Sequence, residues 1–141
     1  MQEGGLRFSE NISIANPPLV SVITVVYNSE QLIERTLRSV ANQTAKNIEH
    51  VIIDGASKDQ TLAKVKSFSK GVAYWLSEKD HGIYDAMNKG IEKANGEYLI
   101  FLNSGDEFFA NDTIEKVFQN NENMYSIVKK NDYILNISKS Y

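Results

Sequence analysis

The sequence contains no cysteine, so no disulfide can brace the chain and no thiolate can hold a metal. Any metal must sit on oxygen or imidazole ligands, and the absence fits a reducing compartment. No apolar run approaches the length of a membrane span, and residues 1–18 lack the basic start and apolar stretch of a signal peptide. The reading is cytoplasmic. Positive charge is not in excess: the formal net charge is −3, which argues against binding a phosphate backbone, and nucleic acid is not an expected partner. Neither Gly-x-Gly-x-x-Gly nor Gly-x-x-x-x-Gly-Lys occurs, so dinucleotide-binding and P-loop readings lose their main support. Proline is confined to Pro17-Pro18, and the chain has no internal repeat or low-complexity tract.

What is present is a chain of 141 residues at 42% hydrophobic content, ordinary for one globular domain with a sizeable core. Three short apolar runs stop abruptly at polar clusters: residues 20–28 (VSVITVVYN), 50–61 (HVIIDGASKDQT) and 96–108 (GEYLIFLNSGDEF). Near-continuous Val, Ile and Leu runs read as buried parallel strands, and open α/β sheets bind ligands beyond the carboxyl ends of their strands. Residues 1–18, polar and closed off by the two prolines, read as a flexible arm joining the domain at Leu19. Strands are expected over 20–26, 48–53, 72–76 and 98–102. Leu32, Ile33, Leu37, Val40 and Ala41 give a helical stripe that starts near Asn28 or Ser29 and runs to about Asn42. Ser57-Lys58-Asp59-Gln60 has the form of a capping box opening a second helix through Leu62, Val65 and Phe68. Ile83, Met87, Gly90, Ile91 and Ala94 form a third stripe, and a short helix starts at Asp112. Residues 124–138 read as extended segments around a Lys-Lys-Asn-Asp turn, a solvated turn that would also suit contact with a membrane surface. Strands alternating with helices imply an α/β fold with a doubly wound, mostly parallel sheet and right-handed crossovers.

The strand ends carry the chemistry. Tyr27 offers an aromatic ring suited to packing beside a nucleobase, or it is a core tyrosine with a satisfied hydroxyl. Asp54 is placed to accept hydrogen bonds from an imide N–H or ribose hydroxyls, with Gly55 and Ala56 leaving room for close approach, or it caps backbone N–H groups of its own turn. Asp59 fits the capping role better, near the start of the next helix. Asn103-Ser104-Gly105-Asp106 clusters oxygen side chains that suit a hard divalent cation, though the same residues make an ordinary tight turn. His50 and His81 each lack a second ligand at metal spacing and read as structural or solvent-facing, with His81 at most a hydrogen-bond partner in its loop beside Asp80, and Trp75 reads as core.

Taken in order, VSVITVVYN, VIIDGASKDQT, DHGIYDAMNKG and GEYLIFLNSGD resemble the donor half of a family 2 glycosyltransferase over roughly residues 18–118. The likeness is strongest to the bacterial branch that builds exopolysaccharide, capsule or O-antigen units, colanic-acid transferases included. It implies a Rossmann-like GT-A fold, C-terminally truncated, with a nucleotide-sugar donor, a glycan or lipid-linked acceptor and a divalent cation, Mg or Mn. Under the resemblance Val25 and Tyr27 line the nucleoside pocket, Asp54 contacts the base, and Asp80, Asp85, Asn88 and Lys89 border the donor sugar and phosphates. Asn103, Ser104 and Asp106 occupy the place of the Asp-x-Asp metal signature. Because Asn103 and Gly105 stand where acids are usual, the metal contact falls to Asp106. Gly55 and Ala56 likewise thin the acidic second motif.

The resemblance further implies residues 19–120 as the nucleotide-sugar-binding domain and 121–141 as an incomplete start of the acceptor-side segment. The general base for an inverting displacement is expected beyond Tyr141, with Glu122 and Asp132 the late acids available. A non-catalytic donor-binding remnant is the rival reading. A nucleotidyltransferase is disfavoured, because the Gly-rich basic loop after the first strand is missing. A peripheral contact with the inner membrane face and a homo-oligomer both stay open.

Overall fold

The computed structural model describes residues 1–9, 18–68, 71–119 and 128–130. Among the described residues six strands and four α-helices follow one another, with a 3-10 turn (Leu6–Phe8) after the first strand: β1 (Gln2–Gly4), β2 (Val20–Val26), α1 (Ile33–Ala41), β3 (Ile48–Asp54), α2 (Thr61–Ser67), β4 (Val72–Ser77), α3 (Ile83–Lys93), β5 (Tyr98–Phe101), α4 (Thr113–Gln119) and β6 (Val128–Lys129). They build one sheet in the order β1-β4-β3-β2-β5-β6. The four central strands are parallel, and β1 and β6 close the edges antiparallel.

The parallel core follows from the apolar runs. β2 is buried at every position except the half-buried Val25, as expected of a strand covered by helices on both faces. Its even and odd residues divide between two layers. Ile23 joins Val51, Ile53, Tyr74 and Leu76 under α3, which contributes Ala86 and Ile91. The opposite face packs Val26, Ile52 and Trp75 against Ile33 and Leu37 of α1 and Val65 of α2, while Val20 and Val22 meet Val40 and Ile114. Gly90 lets α3 approach closely, since a β-carbon there would stand 2.5 Å from Ile23.

The N-terminus departs from the expected flexible arm. Residues 2–4 pair with Ser77, Leu76 and Trp75, so β1 is an edge strand of the sheet. Gly4 lies flat on the Trp75 indole, where a β-carbon would come within 2.6 Å of the ring. Arg7 then anchors the segment, with Nη2 2.7 Å from the Glu49 carboxylate and Nη1 donating to the Lys93 carbonyl at 2.6 Å. Glu49 also accepts from the Ser21 hydroxyl and the Asn95 N–H, which satisfies a carboxylate that is only 8% exposed. Residues 10–17 of the expected arm lie outside the described residues, as do the extended segments expected over 124–138 apart from 128–130.

Helix starts also differ. α1 begins at Ile33 rather than near Asn28, because the backbone carbonyl of Ser29 accepts from Leu32 and Ile33 in a turn that precedes the helix. The capping box does not form. Ser57 is drawn to Asp54, and Asp59 takes the capping work by accepting the Thr61 N–H at 2.9 Å and the Thr61 hydroxyl at 2.6 Å. Trp75 is a core residue, as expected.

His50 sits in the middle of β3 with its ring 2.8 Å from the Thr24 hydroxyl, and burial lowers its pKa from 6.5 to about 3. The unfolded chain therefore takes up a proton at this site below pH 6.5 that the folded chain refuses until about pH 3. Stability from this group is complete above pH 6.5 and is lost as pH falls, by up to about 1.4 kcal/mol per unit. Urea unfolding between pH 7 and pH 5 should show this loss. His50→Gln keeps a partner for Thr24 without titrating and should flatten the profile; an unchanged slope would assign the acid sensitivity elsewhere.

Candidate functional site

Because β2, β3, β4 and β5 run parallel, their carboxyl ends deliver four loops to one edge of the sheet, and the expected site residues lie on those loops, at the ends of β2 and β3 (Val25 and Asp54) or on the first turns of α3. The first two loops are laced together. Asn28, with φ of 45°, donates its N–H to Ser57 Oγ at 2.8 Å and accepts the Lys58 N–H at 2.9 Å. Ser29 N–H reaches Thr61 Oγ1, and Glu30 and the segment of Asp59 and Gln60 exchange backbone-to-carboxylate hydrogen bonds. Burial works against the Asp59 carboxylate, but hydrogen bonds from Thr61 and the Glu30 N–H outweigh it and hold its pKa below the usual value. Tyr27 projects from this laced base with its side chain 60% exposed, which removes the core-tyrosine alternative.

Asp54 behaves differently from the base-contacting acid that the sequence suggests. It is fully buried. One carboxylate oxygen accepts the Ser57 hydroxyl at 2.5 Å, and the other accepts the Ser57 N–H at 3.1 Å and the Ser77 hydroxyl at 2.6 Å. Both oxygens are spent on the protein, so in this conformation the carboxylate shapes the second loop and does not face a ligand. Val25 is only partly buried, yet its side chain packs onto the α3-side cluster.

The third loop is held by its backbone. Thr36, from inside α1, donates its hydroxyl to the Asp106 carbonyl at 2.9 Å and accepts the Gly105 N–H at 2.8 Å. Asp106 N–H closes the turn on the Asn103 carbonyl, and Gly105 supplies the φ of 95° that the turn needs. Ser104 meets Ser29 hydroxyl to hydroxyl at 2.7 Å, which joins the third loop to the first. The side chains of Asn103 and Asp106 are left exposed. Thr36, Ser57 and Ser77 were invisible as site-forming residues in the sequence; only Ser57 carried a signal, and that pointed to a helix cap.

The loop before α3 supplies the remaining candidates. Asp80 accepts the Gly82 N–H at 3.1 Å with one carboxylate oxygen, and Asp85 accepts the His81 N–H at 2.9 Å. That hydrogen bond, opposed by burial and aided by Lys89, lowers the Asp85 pKa. Lys89 lies between Glu78 at 3.1 Å and Asp85 at 3.5 Å. Burial disfavours its ammonium, but the two carboxylates prevail and raise its pKa. Asn88 is half-buried one position earlier on α3. Glu122 and Asp132 lie outside the described residues.

No group of three or more His, Asp or Glu side chains able to hold a metal occurs among the described residues. The donor set at the third loop is nonetheless of the right type: one exposed carboxylate with amide and hydroxyl oxygens suits a hard cation that keeps waters and takes its other ligands from phosphates. Two cavities, of about 470 and 360 Å³, open elsewhere, and no expected site residue lines either. Among the described residues no helix is long and apolar enough to cross a membrane.

Residues 21–131 match the family model for glycosyl transferase family 2. A Mycobacterium tuberculosis protein described as an uncharacterized glycosyltransferase is 42% identical over 107 residues, covering 75% of this chain and 41% of its own length. The chain thus spans about two-fifths of the curated relatives it matches. Among solved structures, Staphylococcus aureus TarS residues 1–349 in complex with UDP-GlcNAc superposes with a TM-score of 0.67 at 30% identity, covering 71% of this chain and 30% of TarS. A Pyrobaculum calidifontis mannosyltransferase in complex with GDP-Man and Mn2+ gives 0.68 at 26% identity, covering 74% of this chain and 32% of its own. With its parallel sheet, its loop-bearing edge and this match over most of its length, the chain belongs to glycosyl transferase family 2 and has the GT-A fold.

Proposed function

We propose that residues 19–120 form the donor-binding domain of a glycosyltransferase that moves a sugar from a nucleoside diphosphate to a glycan or lipid-linked acceptor in cell-surface polysaccharide assembly, with inversion at the transferred carbon. The observation that carries this reading is the convergence of Tyr27, Asn103 and Asp106 as exposed side chains on one pinned edge of the sheet. Solved structures of the same fold are of complexes with UDP-GlcNAc and with GDP-Man and Mn2+.

In this reading Tyr27 packs against the base, and Asp85, Asn88 and Lys89 border the sugar and phosphates. Asp106, with Asn103 and Ser104 beside it, holds Mg or Mn. The cation, when bound, offsets the charge of the departing diphosphate. Residues 121–141 begin the acceptor-side segment. The protein acts at the cytoplasmic side, with peripheral contact to the inner membrane face where lipid-linked acceptors reside.

Calorimetry with UDP and GDP tests the reading. Affinity should be high with Mn2+ and weak with chelator, and Asp106→Ala should abolish the difference while changing stability by no more than about 0.5 kcal/mol, as for a surface position. Equal affinity with and without the cation would contradict the metal role.

Asp54→Ala should behave in the opposite way. Removing a buried carboxylate leaves the Ser57 N–H and the Ser57 and Ser77 hydroxyls without their acceptor, a loss on the order of 1.5–3 kcal/mol in urea unfolding. Any weakening of nucleotide binding should follow from this loosened loop, and Asp54→Asn should recover part of it. An Asp54→Ala protein of unchanged stability but lost affinity would restore the direct base contact.

A further inference from the structure

Asp54 is buried and bonded within the protein, whereas around Gly55 a second carboxylate, that of Asp80, stands beside the exposed Tyr27 ring. A β-carbon built on Gly55 would stand 2.7 Å from Asp80 Oδ2 and 3.5 Å from the Tyr27 ring. The space that a side chain at position 55 would fill is therefore occupied by the carboxylate of Asp80, which borders the same point as the exposed Tyr27 ring. Gly55 has no positive φ that would require glycine, so the missing side chain serves this close approach. The two Asp80 oxygens are not equivalent. Oδ1 accepts the Gly82 N–H, and that bond fixes the carboxylate so that Oδ2 is the oxygen directed over Gly55.

Resting on the donor-site reading above, we propose that Asp80 Oδ2 reads the base edge of the bound nucleotide and selects nucleoside diphosphates whose base carries a ring N–H. An ionised carboxylate only accepts hydrogen bonds. Uracil presents a ring N3–H and the hypoxanthine and guanine rings an N1–H, each of which can donate to Oδ2 when the ring lies against Tyr27. Cytosine and adenine present a ring-nitrogen lone pair at the same place, which repels the carboxylate. Size does not enter the choice, because each pair compares bases of the same ring system.

The test is a calorimetric comparison of UDP with CDP and of IDP with ADP, in Mn2+, using the full 141-residue chain. The wild-type protein should bind UDP and IDP on the order of tenfold or more tightly than CDP and ADP, as for one hydrogen bond to a charged group. Asp80→Asn is the decisive variant. Its amide oxygen can keep the Gly82 contact, which puts the NH2 group where Oδ2 was, so the preference should vanish or reverse toward CDP and ADP. Gly55→Ala places a methyl group against Oδ2 and should lower UDP and IDP affinity with a melting temperature near wild type.

Equal binding of all four nucleotides by the wild type, or an unchanged preference in a folded Asp80→Asn protein, would overturn the role of Asp80 and leave the donor site standing. Failure of every nucleotide to bind the wild type would remove the donor-site reading and this inference together.

Discussion

The buried carboxylate of Asp54 is the contact on which the organisation of the edge depends. It stands at the last position of β3 and bridges two elements, gripping both the N–H and hydroxyl of Ser57 and the hydroxyl of Ser77 at the end of β4. Spanning residues 55 and 56 in this way forces a tight reversal, and Ala56 is held at a φ of 62° that a non-glycine residue rarely adopts. The consequences spread outward. Ser57, fixed by Asp54, accepts the Asn28 N–H and so sets the first loop; Ser29 on that loop meets Ser104 and so sets the third. A polar group with no solvent contact thus positions three loops most of whose own residues are half-buried or exposed.

The outer strands solve a different problem. A parallel sheet of four strands leaves two unpaired edges that invite pairing with another chain. On one side β1 covers β4, and it is only three residues long, with Gln2 and Glu3 exposed, which makes it a poor template for further strands. The Arg7–Glu49 pair ties this strap to β3 and, through Lys93, to the end of α3. On the other side β6 pairs with β5 over two residues. Both caps protect the sheet by antiparallel pairing, and β1 reaches as far as Ser77 at the carboxyl end of β4.

Much of the fold was legible because burial on both faces of a strand writes itself as an unbroken apolar run. β2, β3, β4 and β5 appear within a residue or so of their expected limits for that reason. β1 was not legible. Its three residues carry no periodicity, and its partner lies some seventy residues away, so only tertiary pairing reveals it. At the site, residue types at strand ends were readable, but the use of each side chain was not. Asp54 could equally face a ligand or its own turn, and the choice was made by Ser77, 23 residues distant. Thr36 looked like one more helix residue, yet its hydroxyl holds both ends of the Asn103–Asp106 turn, a role that depends on how α1 lies against the loop that follows β5. Gly55 was read as room for a ligand, whereas the room is taken by Asp80.

These details share one physical logic. Hydrogen bonds that fix the loops are made largely by backbone groups and small hydroxyls: Asn28 and Ser29 N–H on the first loop, Ser57 on the second, Thr36 to Gly105 and Asp106 on the third. The side chains left unburied on the same edge, Tyr27, Asn103 and Asp106, contribute little to that lattice. Affinity depends on how much order a ligand must impose when it binds, and a loop already fixed through its backbone loses little entropy in the process. Substitution of the exposed side chains can therefore change what is bound without unfolding what holds it. A single binding edge can then serve transferases of differing donor preference, because the residues that hold the loops and the residues that meet the ligand are different residues.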